Sequence, residues 1–290
     1  MKHYLKLLHM EIHRFRYALA AIMALAIVIQ IWTLVAYVNE QKATRQYHIT
    51  ESEANNVDII DQYVYGSDTP YALRQVSFAD AIEYNQGSYI ISVMIGIAVI
   101  GLYVFLIWYR DWIGRSTFIY RLLALQAPRG AIYAAKLSAI LLFVFAVIAF
   151  QATLLAIEQG LFRMLVPDEL YKSSYFLDAV QSNYAFKILL PRSYDQFAFA
   201  YGMGIVAVVA IFTAIVIERS YRLVGIAYAI AFLVLCAAML VYPMYQLKTN
   251  DGRGFFYNEE IFAMEVVSCV VVLAVSVWLG LRLLGKKISV

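Results

Sequence analysis

Charge is what this chain has least of. Of its 290 residues only 15% are Asp, Glu, Lys or Arg, against 63% apolar, and the mean hydropathy is +0.69. A soluble domain carries about a quarter charged residues. The composition therefore excludes that class and points to an integral membrane protein. Cysteine is nearly absent: Cys236 and Cys269 both lie in apolar runs, which excludes a disulfide framework and offers no metal-ligand spacing. No histidine follows His48, so most of the chain lacks the usual base or metal ligand. A cleavable signal is not expected either. The apolar run from Tyr17 is too long for an h-region, and no small-residue cleavage site follows it.

A complete nucleotide motif is also missing. The run from Gly280 to Lys286 copies the first seven positions of a phosphate-binding P-loop, but Lys287 stands where magnesium needs Ser or Thr. It also closes an apolar run instead of following a strand, so it reads as a chance match. His9 and His13 have zinc-compatible spacing, yet Met10 occupies the place of a zincin's glutamate. Glu259-Glu260 lacks the arginine, three residues on, of a double-glutamate intramembrane protease. No catalytic residue, metal site or cofactor is expected on this chain.

What is present is six long apolar runs, at about 17–38, 88–109, 132–157, 197–217, 223–242 and 261–284. Runs of roughly 20 residues at 1.5 Å each cross a hydrocarbon core of about 30 Å. The expected fold is all-α: six transmembrane helices in a single domain over 1–290. Polar connections at 39–86, 158–196 and 243–260 are expected outside, the first as a small cap with short helices, and Pro243 is expected to end span five. Residues 1–16 put Tyr4, Leu5, Leu8, Ile12 and Phe15 on one helical face and Lys2, Lys6, His9, His13, Arg14 and Arg16 on the opposite arc. That pattern suits an interfacial helix on an anionic leaflet.

Orientation follows from charge. With both termini inside, 1–16, 110–136, 218–222 and 282–290 hold 14 of the 23 Lys and Arg and only three acids, Glu11, Asp111 and Glu218. Every inner connection is then basic, as the positive-inside rule requires. Segment 110–131 stands out among them. Trp112, Ile113, Phe118, Ile119, Leu122 and Leu123 are apolar anchors for a partner's pocket, and Arg115, Arg121 and Arg129 suit acidic groups or lipid phosphate.

Polar groups inside spans carry a default functional hypothesis. Glu265, Gln151 and Gln30 form the candidate set, while Glu158 and Asp195 read as outer span ends where solvation costs little. Trp32, Tyr37, Tyr89, Tyr103, Trp108, Tyr109, Trp112, Tyr242, Tyr245 and Trp278 cluster near span ends and read as interfacial belts.

The basic N-terminal helix, the six spans with both ends inside, and the excursion between spans two and three together resemble the permease subunits of type-2 ABC exporters. The most specific stretch is 112–136. Leu123-Ala-Leu-Gln-Ala-Pro128-Arg129-Gly130, followed by Ile132-Tyr-Ala-Ala-Lys136, is similar to the family's L-x-L-P-x-x-R…K passage from coupling helix into third span. Gln126-Ala127-Pro128 departs from the pattern around the expected proline. Asp111, Gly114, Ser116 and Thr117 stand where the family's E-x-E-x-G-T run would be. The resemblance implies that this chain hydrolyses nothing itself. Residues 110–131, with Pro128 and Arg129 at their end, would dock on separately encoded ATPases that bind ATP and magnesium. Two permeases, identical or related, would assemble with two ATPases in a cell membrane and export peptides, antibiotics or lipid-linked sugars. Two other classes stay open: an ion-gradient-driven secondary transporter, which needs several buried ionisable groups, and a non-transporting sensor or assembly factor using the acidic outer segments.

Overall fold

The computed structural model describes residues 2–55, 75–112, 129–249 and 258–286. Nearly all of them are helical. In chain order the elements are α1 (Lys2–Asn55), β1 (Val76–Ser77), α2 (Phe78–Tyr84), α3 (Gln86–Trp112), α4 (Arg129–Leu165), β2 (Tyr171–Lys172), α5 (Phe176–Ser182), α6 (Tyr184–Leu189), α7 (Tyr194–Thr249) and α8 (Asn258–Lys286). Six helical stretches are long and apolar enough to cross a membrane: Tyr4–Glu51, Gln86–Arg110, Gly130–Leu165, Gln196–Tyr221, Val224–Pro243 and Glu260–Gly285. The chain is thus an all-α protein of multi-pass membrane type.

The helices outrun the apolar runs that seed them. α1 has 54 residues, about 80 Å at 1.5 Å per residue, against a hydrocarbon core of roughly 30 Å. Residues 2–16 are its first turns, continuous with the span, and 39–55 continue it as polar helix. The fifth of these apolar stretches closes at Pro243, while the α7 backbone stays helical to Thr249. A 56-residue α7 nevertheless contains two spans. Its helical path folds back over Glu218–Gly225, where a Cβ on residue 225 would collide with the Glu218 carbonyl oxygen. Only glycine allows that approach.

The chain divides into two compact units. One comprises Met1–Arg16, Val99–Val144 and Ser193–Val290. In it Val206 and Ala210 on the first arm of α7 pack with Phe232, Leu233 and Cys236 on the second and with Val272 on α8. Thr213 Oγ1 donates 2.8 Å to the Ser276 carbonyl, tying the first arm to α8. Phe15 packs against Tyr103 and Phe143, with ring centroids 3.9 and 4.8 Å away.

The second unit comprises Tyr17–Ala98 and Phe145–Arg192. β1 and β2 pair in parallel, Val76 with Tyr171 and Ser77 with Lys172. Ser77 then caps α2 through a reciprocal box with Asp80, satisfying two orphan donors at the helix start. Leu34, Tyr37, Phe78, Ile82, Tyr89, Phe162, Leu170 and Phe186 form its core. The polar connections thus carry a small folded subdomain with its own apolar centre.

The aromatic belt is only half a belt. Trp32, Tyr242, Tyr245 and Trp278 are exposed as expected, but Tyr37, Tyr89, Tyr103 and Trp108 are buried core residues. Rings large enough to anchor at an interface are also the largest apolar fillers a helix can supply, and hydropathy does not separate the two uses.

Candidate functional site

The segment singled out by its charge lies between α3 and α4. Ile113, Arg115, Phe118, Ile119, Arg121, Leu122, Leu123 and Pro128 fall outside the described residues. Trp112 is the last residue of α3 and Arg129 the first of α4. What the structure describes is how the two helix ends flanking that segment are held.

Both ends meet one carboxylate. Glu11 on α1 accepts from Arg110 at 2.8 Å, from Lys136 at 3.3 Å and from Arg14 at 3.4 Å, and the Tyr103 hydroxyl lies 3.4 Å away. The Glu11 and Lys136 side chains are each 2% exposed. Lys136 also donates to the Ile107 carbonyl at 2.5 Å and sits 5.2 Å from the Trp108 ring centroid. A cation suits that place, because the Glu11 carboxylate and the Ile107 carbonyl both turn oxygens toward it. Arg110 lies in the last turn of α3.

A second carboxylate holds the preceding residue. Tyr109 donates to Glu218 at the turn of α7, and the Arg219 guanidinium lies 4.5 Å from the Tyr109 ring centroid. Of the three acids in the basic segments, Glu11 and Glu218 therefore both grip the end of α3. Their sign was legible in the sequence. Their use was not, because each partner lies about a hundred residues away, with separations of 99 and 109.

The remaining N-terminal residues separate as an amphipathic helix should only in part. Phe15 is buried, Tyr4, Leu8 and Ile12 are half-buried, and Leu5 is exposed. Tyr4 donates 2.8 Å to Ser138 on α4. The face is therefore shared between apolar packing and polar contacts within the protein.

The expected intramembrane set divides. Gln30 and Gln151 do meet: Gln30 Nε2 donates to Gln151 Oε1 at 3.1 Å and to Ser92 Oγ at 3.0 Å, joining α1, α3 and α4 in the second unit. Glu265 lies in the first unit on α8, 3% exposed, with neither carboxylate oxygen hydrogen-bonded among the described residues. Glu158 corrects the sequence-based expectation. It is not a solvated span end but wholly buried, accepting from Tyr89 at 3.1 Å while its other oxygen has no partner among the described residues. α4 runs past it to Leu165, and Phe162 and Val166 lie in the same core. An apolar run broken by a glutamate looks like a span end; a helix that continues into a folded subdomain buries the same residue.

The subdomain bears a cleft of about 510 Å³, lined by Tyr37, Glu40, Thr44 and Arg45 of α1 and by Asp80, Glu83 and Tyr84 of α2. Tyr84 donates to Glu40 at 3.0 Å, and their hydrogen bond and charge hold the Tyr84 hydroxyl above its ordinary ionisation range. Arg45 pairs with Glu169 at 2.8 Å. Among the described residues no three His, Cys, Asp or Glu side chains group to hold a metal.

Comparison with protein-family models, with curated proteins and with solved structures finds no match to this chain.

Proposed function

We propose that this chain is the membrane permease of an ATP-driven transporter of the type-2 ABC exporter kind, with its basic 110–131 segment as the contact for a separate ATPase. The observation that carries the reading is the fixing of the last turn of α3. Glu11 and Glu218, from α1 and α7, hold Arg110 and Tyr109, and Glu11 also holds Lys136 near the start of α4. A partner pressing on a segment with firmly mounted ends displaces helices, whereas a loose loop would absorb the push. The basic inner connections fit cytoplasmic termini in a cell membrane. ATP and magnesium belong to the partner, and a second permease completes the pore. The exported class remains peptides, antibiotics or lipid-linked sugars, as in the resembled family.

The test is purification in mild detergent with identification of the co-purifying proteins. The expected result is an ABC ATPase whose hydrolysis rises in the complex and loses that rise with Trp112→Ala or Arg121→Glu. An intact complex in which both variants hydrolyse ATP like the wild type would refute the coupling role.

One observation favours a second reading. Glu158 and Glu265 are both buried, each with an oxygen that has no partner among the described residues, and buried ionisable groups are the hallmark of gradient-driven carriers. Substrate movement driven by an imposed ion gradient in vesicles without ATP would select that reading.

A further inference from the structure

We propose that Glu11 is a positioning residue that clamps both ends of the 113–128 connection to the N-terminal helix, so that displacement of that connection is delivered to α1. The inference rests on the ATPase-coupled reading above and adds the path by which movement enters the membrane part.

Three helices contribute to the clamp. α1 supplies Glu11, α3 supplies Arg110, Tyr103 and the Ile107 carbonyl, and α4 supplies Lys136. Arg110 lies two residues before the end of α3, and Lys136 seven after the start of α4. One carboxylate therefore bridges the two sides of the connection, each through its own oxygen: Oε2 to Arg110 and Oε1 to Lys136. Apolar contacts surround the bridge. Phe15, one turn beyond Glu11, packs on Tyr103 and Phe143, and Tyr4 reaches Ser138 two residues past Lys136. The N-terminal helix thus meets α4 through Tyr4, Glu11 and Phe15, and α3 through Glu11 and Phe15.

Stability alone does not explain a buried Lys–Glu pair. Desolvating both charges offsets most of their attraction, and apolar side chains of similar volume fill such sites at no loss. What an ion pair adds is direction, since it holds helices in one register and resists sliding. That property suits a transmission point.

The experiment compares wild type, Glu11→Gln and the double variant Glu11→Met/Lys136→Met, each purified with its ATPase and reconstituted. Thermal unfolding reports the structural role, and ATP hydrolysis per complex over the isolated ATPase reports coupling. The double variant should unfold at or above the wild-type temperature while its ATPase stimulation falls roughly tenfold, within the range for loss of one member of a coupling network. Glu11→Gln keeps the shape and one acceptor, so it should assemble and fall in the same direction. Should the double variant fold poorly, Glu11→Gln decides the question alone. Wild-type stimulation in either folded variant overturns the clamp and leaves the ATPase reading standing. Absence of any ATPase from the wild-type preparation overturns that reading, and the clamp with it.

Discussion

Tyr89 on α3 and Glu158 on α4 are both fully buried, and the tyrosine hydroxyl donates 3.1 Å to one carboxylate oxygen. Tyr89 also meets Phe186 edge-on, with centroids 5.5 Å apart, which ties the pair to α6. The contact joins the wall of a span to the subdomain above it. Glu158→Ala leaves a buried hydroxyl without its acceptor, a loss of about 1–3 kcal/mol. Glu158→Gln keeps an acceptor and should cost less. Thermal unfolding in detergent separates the two; equal midpoints for Ala and wild type would show that the pair contributes nothing.

Gln30 and Gln151 test the cost of a polar contact inside the bundle. Their amides meet at 3.1 Å with Ser92 completing the cluster. A double-alanine cycle between them should give a coupling energy near the membrane-protein average of about 0.6 kcal/mol, with about 1.7 as an upper bound. Strict additivity of the two single variants would argue against the contact.

Gly225 and Gly202 make opposite predictions from the same substitution. At residue 225 a Cβ would collide with the Glu218 backbone, whereas at residue 202 nothing among the described residues lies within 4 Å. Gly225→Ala should lower stability by about 1–3 kcal/mol through forced backbone movement. Gly202→Ala should be neutral or stabilising by up to about 1 kcal/mol, since alanine is the better helix former. Matching unfolding midpoints would mean that α7 does not depend on that close turn.

Tyr84 offers a pH observable outside the spans. Its hydroxyl hydrogen-bonds to Glu40, whose charge also opposes phenolate formation, so it ionises above the ordinary tyrosine range. Any stability linked to this group is therefore lost only on the alkaline side, as pH rises past the ordinary tyrosine value toward the raised one. Titration of ring-labelled tyrosine, with Tyr84→Phe to assign the signal, should show the ionisation moving down in Glu40→Gln. An unmoved signal would break the link.

The glutamates mark how far the sequence carries. Glu11 and Glu218 appear in it as rare acids within basic segments, which says nothing about their partners. Glu158 appears as the polar end of an apolar run, and Glu265 as an acid inside one; both are buried. Tyr89 and Trp108 have belt-like positions, yet they fill the core. In each case local hydropathy is the same for the two outcomes, and the neighbours from distant parts of the chain differ.

By itself the sequence determined six helical spans, their approximate limits, and a basic connection between the second and third. Those properties follow from hydrophobicity summed over about 20 neighbouring residues and from the 3.6-residue period. Only the tertiary structure decided that Glu11 meets Lys136 across 125 residues, that Gln30 meets Gln151, that Glu265 is buried with no hydrogen bond among the described residues, and that α7 doubles back at Gly225. Such contacts depend on which helix faces pack together. That choice is made by the whole set of side chains at once and leaves no periodic mark along the chain.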